Sequence, residues 1–164
     1  MILSWQVEIE CKCPKCAGLA LFDKRPFRFI SEKGIDSNNP PSPHRQGGFY
    51  VVENYPNIYP WVAKNHQYYN SHLNYEKGVL KCSSCGSIHV HHLDWPSDAY
   101  YQWDIRGTLL WAVNREHANF LLDYIQQKVR TGKHNYKTYK LPTTITNAKN
   151  RDLVVKKIGA TLGQ

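Results

Sequence analysis

Two short stretches decide how this chain folds: Cys13-Pro-Lys-Cys16-Ala-Gly18 and Cys82-Ser-Ser-Cys85-Gly86. Each holds a Cys-x-x-Cys pair with a glycine just beyond it, where the chain turns without a side chain and its N–H groups can face sulfur. Structural zinc binds four ligands in a tetrahedron, and the two thiolates of such a turn converge on one metal ion. The sequence therefore predicts one structural Zn²⁺ ion bound by Cys13, Cys16, Cys82 and Cys85.

These two knuckles resemble those of the zinc ribbon family, in which two knuckles at the tips of β-hairpins clamp one ion. The resemblance runs from about Cys11 to His92 and is carried by the knuckles alone. Between Cys16 and Cys82 lie 65 residues (82 − 16 − 1), whereas a compact four-cysteine site has about 15 to 20. We therefore expect an inserted segment to fold between the knuckles, at an entropy cost that grows only logarithmically with its length.

Cys11 is a fifth thiol beside the first knuckle. The spacing favours Cys13 and Cys16 as ligands, because side chains alternate along a strand and Cys11 points away from the metal if Cys13 points toward it. We expect Cys11 to be a spare thiol. The alternative to a metal site is a set of four free buried cysteines, which two matched Cys-x-x-Cys spacings disfavour.

The chain of 164 residues is long enough for a single domain with one real core. We predict an α+β fold, with a zinc-stapled antiparallel β-sheet or β-ribbon core followed by two C-terminal α-helices. The predicted segments are the zinc-ribbon halves at 1–30 and 75–95, a loop-rich insertion at 31–74, a β-hairpin at 96–113 and a helical basic region at 114–164.

Apolar alternation predicts the individual strands, at residues 4–10, 18–22, 26–30, 49–53, 78–81 and 87–94. A second hairpin is expected at 99–105 and 108–113, with a helix starting near Asp104 as the competing interpretation. Asn114 is a good N-cap for a helix that runs to about Arg130. A final helix, capped by Asn150 or Asn147, is predicted from the helical spacing of Leu153, Val154, Ile158 and Leu162.

The positive charge is concentrated near the C-terminal end. The formal net charge is +8, and residues 128–157 carry nine Lys and Arg against Asp152 alone, which accounts for all of it. Such asymmetry favours a polyanionic partner, whereas the plainer interpretation is a lysine-rich surface that keeps the protein in solution. The candidate DNA- or RNA-binding residues are Lys133, Tyr136, Lys137, Tyr139, Lys140, Arg151, Lys156 and Lys157.

Two polar clusters raise the question of catalysis. His89 and His91 lie on one face of a predicted strand close to the second knuckle, but four thiolates leave no open position on the ion for water or substrate. Glu116 and His117 could act as an acid and base, although capping of a helix explains them equally well. No phosphate-binding glycine loop, nucleophile elbow or metalloprotease motif occurs in the chain.

The first ten residues have no basic start and no long apolar centre, so they do not read as a signal peptide. No apolar run approaches the roughly 20 residues of a membrane span. We therefore expect a cytoplasmic protein with no membrane partner, in a compartment where thiols stay reduced.

Three functions remain open from the sequence. The first is nucleic-acid binding through the basic C-terminal region, and the second is a zinc-stabilised interaction or scaffold protein whose partner is another protein. The third is a small hydrolase-like enzyme that uses His89 and His91 or Glu116 and His117. Charge localisation favours the first by a narrow margin, and an enzyme is the least favoured of the three.

Overall fold

A computed structural model of the protein describes residues 8–61, 77–127 and 141–163. These residues contain antiparallel sheets followed by helices, which confirms the predicted α+β class. In chain order the strands are β1 (Ile9–Lys12), β2 (Leu19–Asp23), β3 (Phe27–Ser31), β4 (Arg45–Gln46), β5 (Phe49–Glu53), β6 (Lys77–Cys82), β7 (Ile88–His92), β8 (Tyr101–Ile105) and β9 (Thr108–Ala112).

The largest sheet contains both knuckles. Its strand order is β1-β2-β6-β7, and all neighbours are antiparallel. The central pair, β2 with β6, places Ala20 opposite Cys82. We call this unit the cysteine sheet. The predicted hairpin around the second knuckle is confirmed as β6 and β7, which pair from Lys77 opposite His92 to Lys81 opposite Ile88.

The segment after β2 forms a separate sheet with strand order β3-β5-β4. The two strands predicted at 18–22 and 26–30 are therefore both present, but they belong to different sheets. Asp23 ends the first of them, and its carboxylate accepts a hydrogen bond of 2.7 Å from the Arg25 backbone N–H. β3 does not pair with β2, because β1 and β6 already occupy both sides of β2.

The hairpin of β8 and β9 was predicted correctly, and the competing helix near Asp104 is wrong. Arg106 and Gly107 form its two-residue turn, with φ angles of 52° and 78°. Two successive positive φ angles match the twist of antiparallel strands, which favours a hairpin over a continued helix at this position.

Two helices of twelve residues follow, α1 (Arg115–Gln126) and, after a four-residue helix α2 (Thr143–Thr146), α3 (Arg151–Leu162). Asn114 caps α1 as predicted, since its side chain accepts a hydrogen bond from the His117 N–H at 2.8 Å. The prediction that this helix reaches Arg130 is wrong, because Gln127 is already in extended backbone. A 3-10 turn (Ala148–Asn150), capped by Asn147, precedes α3.

The helices pack against the β8–β9 hairpin around one apolar core. We call this unit the hairpin–helix body; its buried residues include Trp103, Ile105, Leu121, Ile125 and Ile158. The cysteine sheet has its own smaller core, which includes Ile9, Phe22, Leu80 and Leu93 together with three cysteines. Among the described residues, no helix is long and apolar enough to cross a membrane.

The two units are joined along the outer edge of β1. The Glu10 N–H donates to the Val113 carbonyl and the Lys12 N–H to the Asp98 carbonyl, both at 2.8 Å, and the Tyr100 N–H donates back to the Glu10 carbonyl at 3.1 Å. A single bridge pairs Cys11 with Ala99. This edge of the cysteine sheet is therefore covered by backbone hydrogen bonds.

Candidate metal centre

The structure brings together the four cysteines that the sequence singled out. The sulfur atoms of Cys13, Cys16, Cys82 and Cys85 all lie within 4.8 Å of one another. The Cys13 sulfur is 3.8 Å from that of Cys85, and the Cys16 sulfur is 3.5 Å from that of Cys82. A tetrahedron with metal–sulfur distances of about 2.3 Å has sulfur–sulfur edges of about 3.8 Å. The four sulfurs are therefore spaced to hold one metal ion.

The two knuckles have the same backbone hydrogen bonds. In the first, the Cys13 N–H donates to the Gly18 carbonyl and the Ala17 N–H donates to the Cys13 carbonyl, both at 2.8 Å. In the second, the Cys82 N–H donates to the Ser87 carbonyl at 2.9 Å and the Gly86 N–H to the Cys82 carbonyl at 3.1 Å. Each knuckle is thus closed by its own backbone hydrogen bonds, which bring its two thiols together.

Gly18 and Gly86, the glycines that follow the two knuckles, have different structural roles. Gly86 has a φ of 70° and supplies the left-handed turn, as predicted. In the first knuckle Ala17 occupies that position with a φ of 57°, so the same role predicted for Gly18 is wrong. A Cβ atom on Gly18 would lie 2.7 Å from the Cβ of Ser84, which shows that Gly18 is needed for close approach of the second knuckle.

The sheet register sets the distance between the knuckles. Cys82 is the last residue of β6 and lies opposite Ala20 on β2. The next residue, Ser83, donates from both its N–H and its Oγ to the Leu19 carbonyl, at 3.3 and 3.0 Å. The second knuckle is thereby fixed against the strand that leaves the first one. Sequence reasoning missed this contact of Ser83 and Ser84, because it depends on a pairing across the insertion.

The sulfurs of the cluster differ in burial and in the hydrogen bonds around them. Cys13 and Cys82 are buried, whereas Cys16 and Cys85 are exposed. The Cys85 N–H lies 3.4 Å from the Cys82 sulfur. Hydrogen bonds from the N–H groups of Cys85 and Ser84 lower the pKa of Cys82 to about 6, although burial acts to raise it. The Gly18 N–H also lowers the pKa of Cys16, but the side chains of Cys82 and Cys85 outweigh it and raise that pKa to about 12. Neighbouring thiolates repel one another, and a bound cation removes this repulsion.

Cys11 lies outside the cluster, as its spacing predicts. It is fully buried in the core of the cysteine sheet and pairs with Ala20 on β2. Burial, followed by the charges of Asp98 and Glu10, raises the pKa of Cys11 to about 12. It is a neutral core thiol in this structure.

His89 and His91 on β7 each lie within hydrogen-bond distance of a neighbouring side chain. The His91 Nε2 lies 2.9 Å from an Asp98 carboxylate oxygen, which also accepts the Asp94 N–H at 2.7 Å. His89 lies near Ser87, with 3.2 Å between its Nδ1 and the serine Oγ, and burial lowers its pKa, with smaller effects from His91 and Lys15. Among the residues that the structure describes, the four cysteines are the one group of three or more His, Cys, Asp or Glu placed to hold a metal.

The cluster from Asn114 to His117 links elements of the fold. The Val113 N–H lies 3.3 Å from the His117 Nδ1, which occupies that ring nitrogen. Arg115 donates from its backbone N–H to the Glu10 carboxylate at 3.0 Å and from its guanidinium to the Leu162 carbonyl at 2.7 Å. These bonds hold α1 against β1 and the end of α3. They give the cluster a positional role.

The candidate nucleic-acid residues fall into two groups. Lys133, Tyr136, Lys137, Tyr139 and Lys140 lie outside the described residues. On α3, Lys156 is exposed, while Arg151 and Lys157 are half-buried. The Lys157 Nζ donates to the Asp104 carbonyl at 2.6 Å, so this lysine joins α3 to the β8–β9 hairpin. Of these three described cations, Lys156 alone is exposed.

The chain matches no protein-family model, no curated protein and no solved structure. The four-cysteine cluster is therefore the feature on which a functional proposal has to be built.

Proposed function

We propose that this protein is a zinc-stabilised binding protein whose four cysteines hold one structural Zn²⁺ ion. The single observation that carries the proposal is the spacing of the four sulfurs, all within 4.8 Å of one another. Four thiolates in a tetrahedron suit zinc or iron. Zinc is the proposed ion because Zn²⁺ bound by four cysteines stabilises protein folds and does not undergo redox chemistry.

A structural role follows from the number of ligands. Four protein thiolates fill a tetrahedral ion and leave no coordination position for water or substrate. The site connects Cys16 to Cys82 and Cys13 to Cys85, across separations of 66 and 72 positions along the chain. A metal at this point ties the two halves of the cysteine sheet together.

The metal assignment is tested by elemental analysis of the purified protein. We expect one zinc per chain, and its removal by a chelator should make the four ligand thiols reactive, together with Cys11 once the cysteine sheet unfolds. Cys85→Ser should carry less than one zinc, while the matched variant Cys11→Ala should retain it. Stoichiometric iron, or a metal-free protein with four reactive thiols, would contradict the proposal.

We further propose that the partner is a nucleic acid, bound through the basic C-terminal region. Nine Lys and Arg against one Asp between residues 128 and 157 support this, because neutralising phosphates releases condensed counterions. Lys156 is exposed and available, whereas Lys157 is engaged with the Asp104 carbonyl. The contacts are therefore expected mainly from the three lysines Lys133, Lys137 and Lys140, with Tyr136 and Tyr139 as stacking residues.

The partner is tested by titrating short single-stranded and duplex DNA and RNA at several salt concentrations. Replacing Lys133, Lys137 and Lys140 by Glu should weaken binding and reduce the slope of log affinity against log salt by about one per lost contact. The control with the same change in charge replaces Lys12, Arg28 and Lys33, all exposed on other parts of the protein. Equal losses in both variants would indicate a non-local charge effect, and no binding by the wild type at low salt would refute this partner.

A protein-interaction role is the second candidate, favoured by one observation. Ile88 and Val90 on β7 are 43% and 37% exposed, although both are large apolar side chains on a sheet edge. Exposed apolar residues grouped on one edge are typical of contact surfaces.

A further inference from the structure

We propose that β7 is a dimerisation edge, at which two copies of this chain pair their β7 strands antiparallel about a two-fold axis through Val90. The proposal rests on the backbone of the cysteine sheet, which has β1 at one edge and β7 at the other. The resulting dimer would carry one continuous eight-stranded sheet.

The direction of the β7 backbone groups follows from the hydrogen bonds at the second knuckle. In an antiparallel pair, residues alternate between those bonded to the partner strand and those facing away. The Cys82 N–H donates to the Ser87 carbonyl at 2.9 Å. The backbone N–H and carbonyl groups of Ser87, His89 and His91 therefore point toward β6. The N–H and carbonyl groups of Ile88, Val90 and His92 therefore point outward, away from the sheet.

The two edges of the sheet differ in what covers them. The outward groups of β1, on Glu10 and Lys12, bond to Val113, Asp98 and Tyr100. No strand pairs with the outer side of β7 among residues 8–61, 77–127 and 141–163. Within the described part of the chain, β7 is thus an edge strand without a partner on its outer side, while β1 at the other edge is bonded.

β7 also lacks the features by which proteins prevent edge pairing. Natural edge strands are protected by lysines, inward charges, prolines or bulges. The sequence Ile88-His-Val-His-His92 contains none of Lys, Arg, Asp, Glu or Pro, and its pairing with β6 runs without a bulge from Lys77 to Lys81. The side chains of Ile88 and Val90, which project from one face of this strand, are also exposed.

A second copy is the occupant because its own β7 supplies the complementary edge. With the two-fold axis at Val90, Val90 pairs with Val90 of the second copy, and Ile88 of each copy pairs with His92 of the other. All three pairs then use outward-facing groups, which gives about six N–H···O=C bonds. No acid or lysine of the strand meets a like charge in this register. An isologous contact of this kind closes after two copies and does not propagate into a filament.

The dimer is tested by sedimentation of the zinc-loaded protein from about 1 to 200 µM, the range expected for a small interface. We expect the mass to double with concentration. Val90→Lys places two lysines opposite each other across the axis and should weaken association by about 100-fold or more. Because Val90 is exposed, the variant should keep its zinc and its circular dichroism spectrum.

The matched control is Leu21→Lys, which introduces the same charge on a residue 43% exposed on β2, an inner strand of the same sheet. It should leave the dimer intact. As a second measurement, Val90→Cys should form a disulfide-linked dimer with oxidised glutathione, since bonded antiparallel pairs hold their Cα atoms about 5.5 Å apart. Leu21→Cys should not form one.

Three results would overturn the proposal. A wild type that stays monomeric at 200 µM, which is about 4 mg/ml, would show that this edge does not bind a second copy. Binding of an added extended peptide to the same edge would then identify another kind of partner. Equal loss of the dimer in Leu21→Lys would indicate packing of sheet faces. A dimer insensitive to both lysine substitutions would place the interface elsewhere.

Discussion

The cysteine sheet and the hairpin–helix body are held together by different chemistry. Among the residues that the structure describes, the core of the hairpin–helix body has thirteen buried residues, none of them a cysteine. Counted over the same residues, the core of the cysteine sheet has eight, and three of these are Cys11, Cys13 and Cys82. The first unit therefore has a larger apolar core, and we expect the second to depend on the metal ion proposed for its thiols. The predictions below separate the two.

The largest effect is expected from removing a ligand. Cys16→Ser should abolish zinc binding and unfold the cysteine sheet, because structural zinc contributes on the order of 10 kcal/mol, comparable to the whole stability of a domain. Amide hydrogen exchange should show lost protection in β1, β2, β6 and β7. The helices α1 and α3 should keep theirs, since their core contains no ligand.

Cys11→Ala is the control for that experiment, because it removes a thiol from the same core without removing a ligand. It should retain one zinc per chain. If Cys16→Ser also removed the protection of α1 and α3, the two units would fold as one and the comparison would fail.

A cavity in the other unit should have the opposite pattern. Ile158→Ala removes a fully buried side chain from the hairpin–helix core and should lower the free energy of unfolding by about 2 to 5 kcal/mol. The zinc content of the folded protein should not change. Leu109→Ala, on the same hairpin but 44% exposed, serves as the control and should cost about 0.5 kcal/mol or less in a denaturant titration.

A crowding substitution probes the cysteine sheet without touching a thiol. A Cβ on Gly78 would meet the Asp23 carbonyl and lie 2.7 Å from the Phe22 ring. Gly78→Ala should therefore destabilise the protein by about 1 to 3 kcal/mol, the usual range for overpacking. Thermal unfolding with and without a chelator measures this. Lys81→Ala, exposed on the same strand, should be close to neutral, and a neutral Gly78→Ala would contradict the tight β2–β6 contact.

The smallest effects sharpen a comparison inside the cysteine sheet, between its two knuckles. Gly86→Ala places a side chain at a φ of 70° and should cost about 1 kcal/mol. Ala17→Gly relieves the same conformation at a φ of 57° and should be stabilising by about 0.5 kcal/mol after the added flexibility of the unfolded chain. Denaturant midpoints of the two variants should shift in opposite directions, and shifts in the same direction would show that the knuckles are not equivalent.

The parts of the structure that could be predicted are those decided by neighbours in sequence. The Cys-x-x-Cys spacing was sufficient to single out the four clustered cysteines, and Asn114 marked the start of α1, because a knuckle and a cap are each built within a few residues. The separation of β2 from β3 into different sheets was not visible, since it depends on which distant strand each one pairs with. The role of Gly18 was missed for the same reason, because it is set by Ser84 across the insertion.

The separation of the two knuckles along the chain also sets the order of events during protein synthesis. Cys82 follows Cys16 by 66 positions, and a ribosome adding about 5 to 20 residues per second takes roughly 3 to 13 seconds to cover them. Throughout that interval the nascent chain presents Cys11, Cys13 and Cys16 without either cysteine of the second knuckle. The complete four-sulfur site can therefore form only after β6 has been translated. Until then β2 cannot pair with β6.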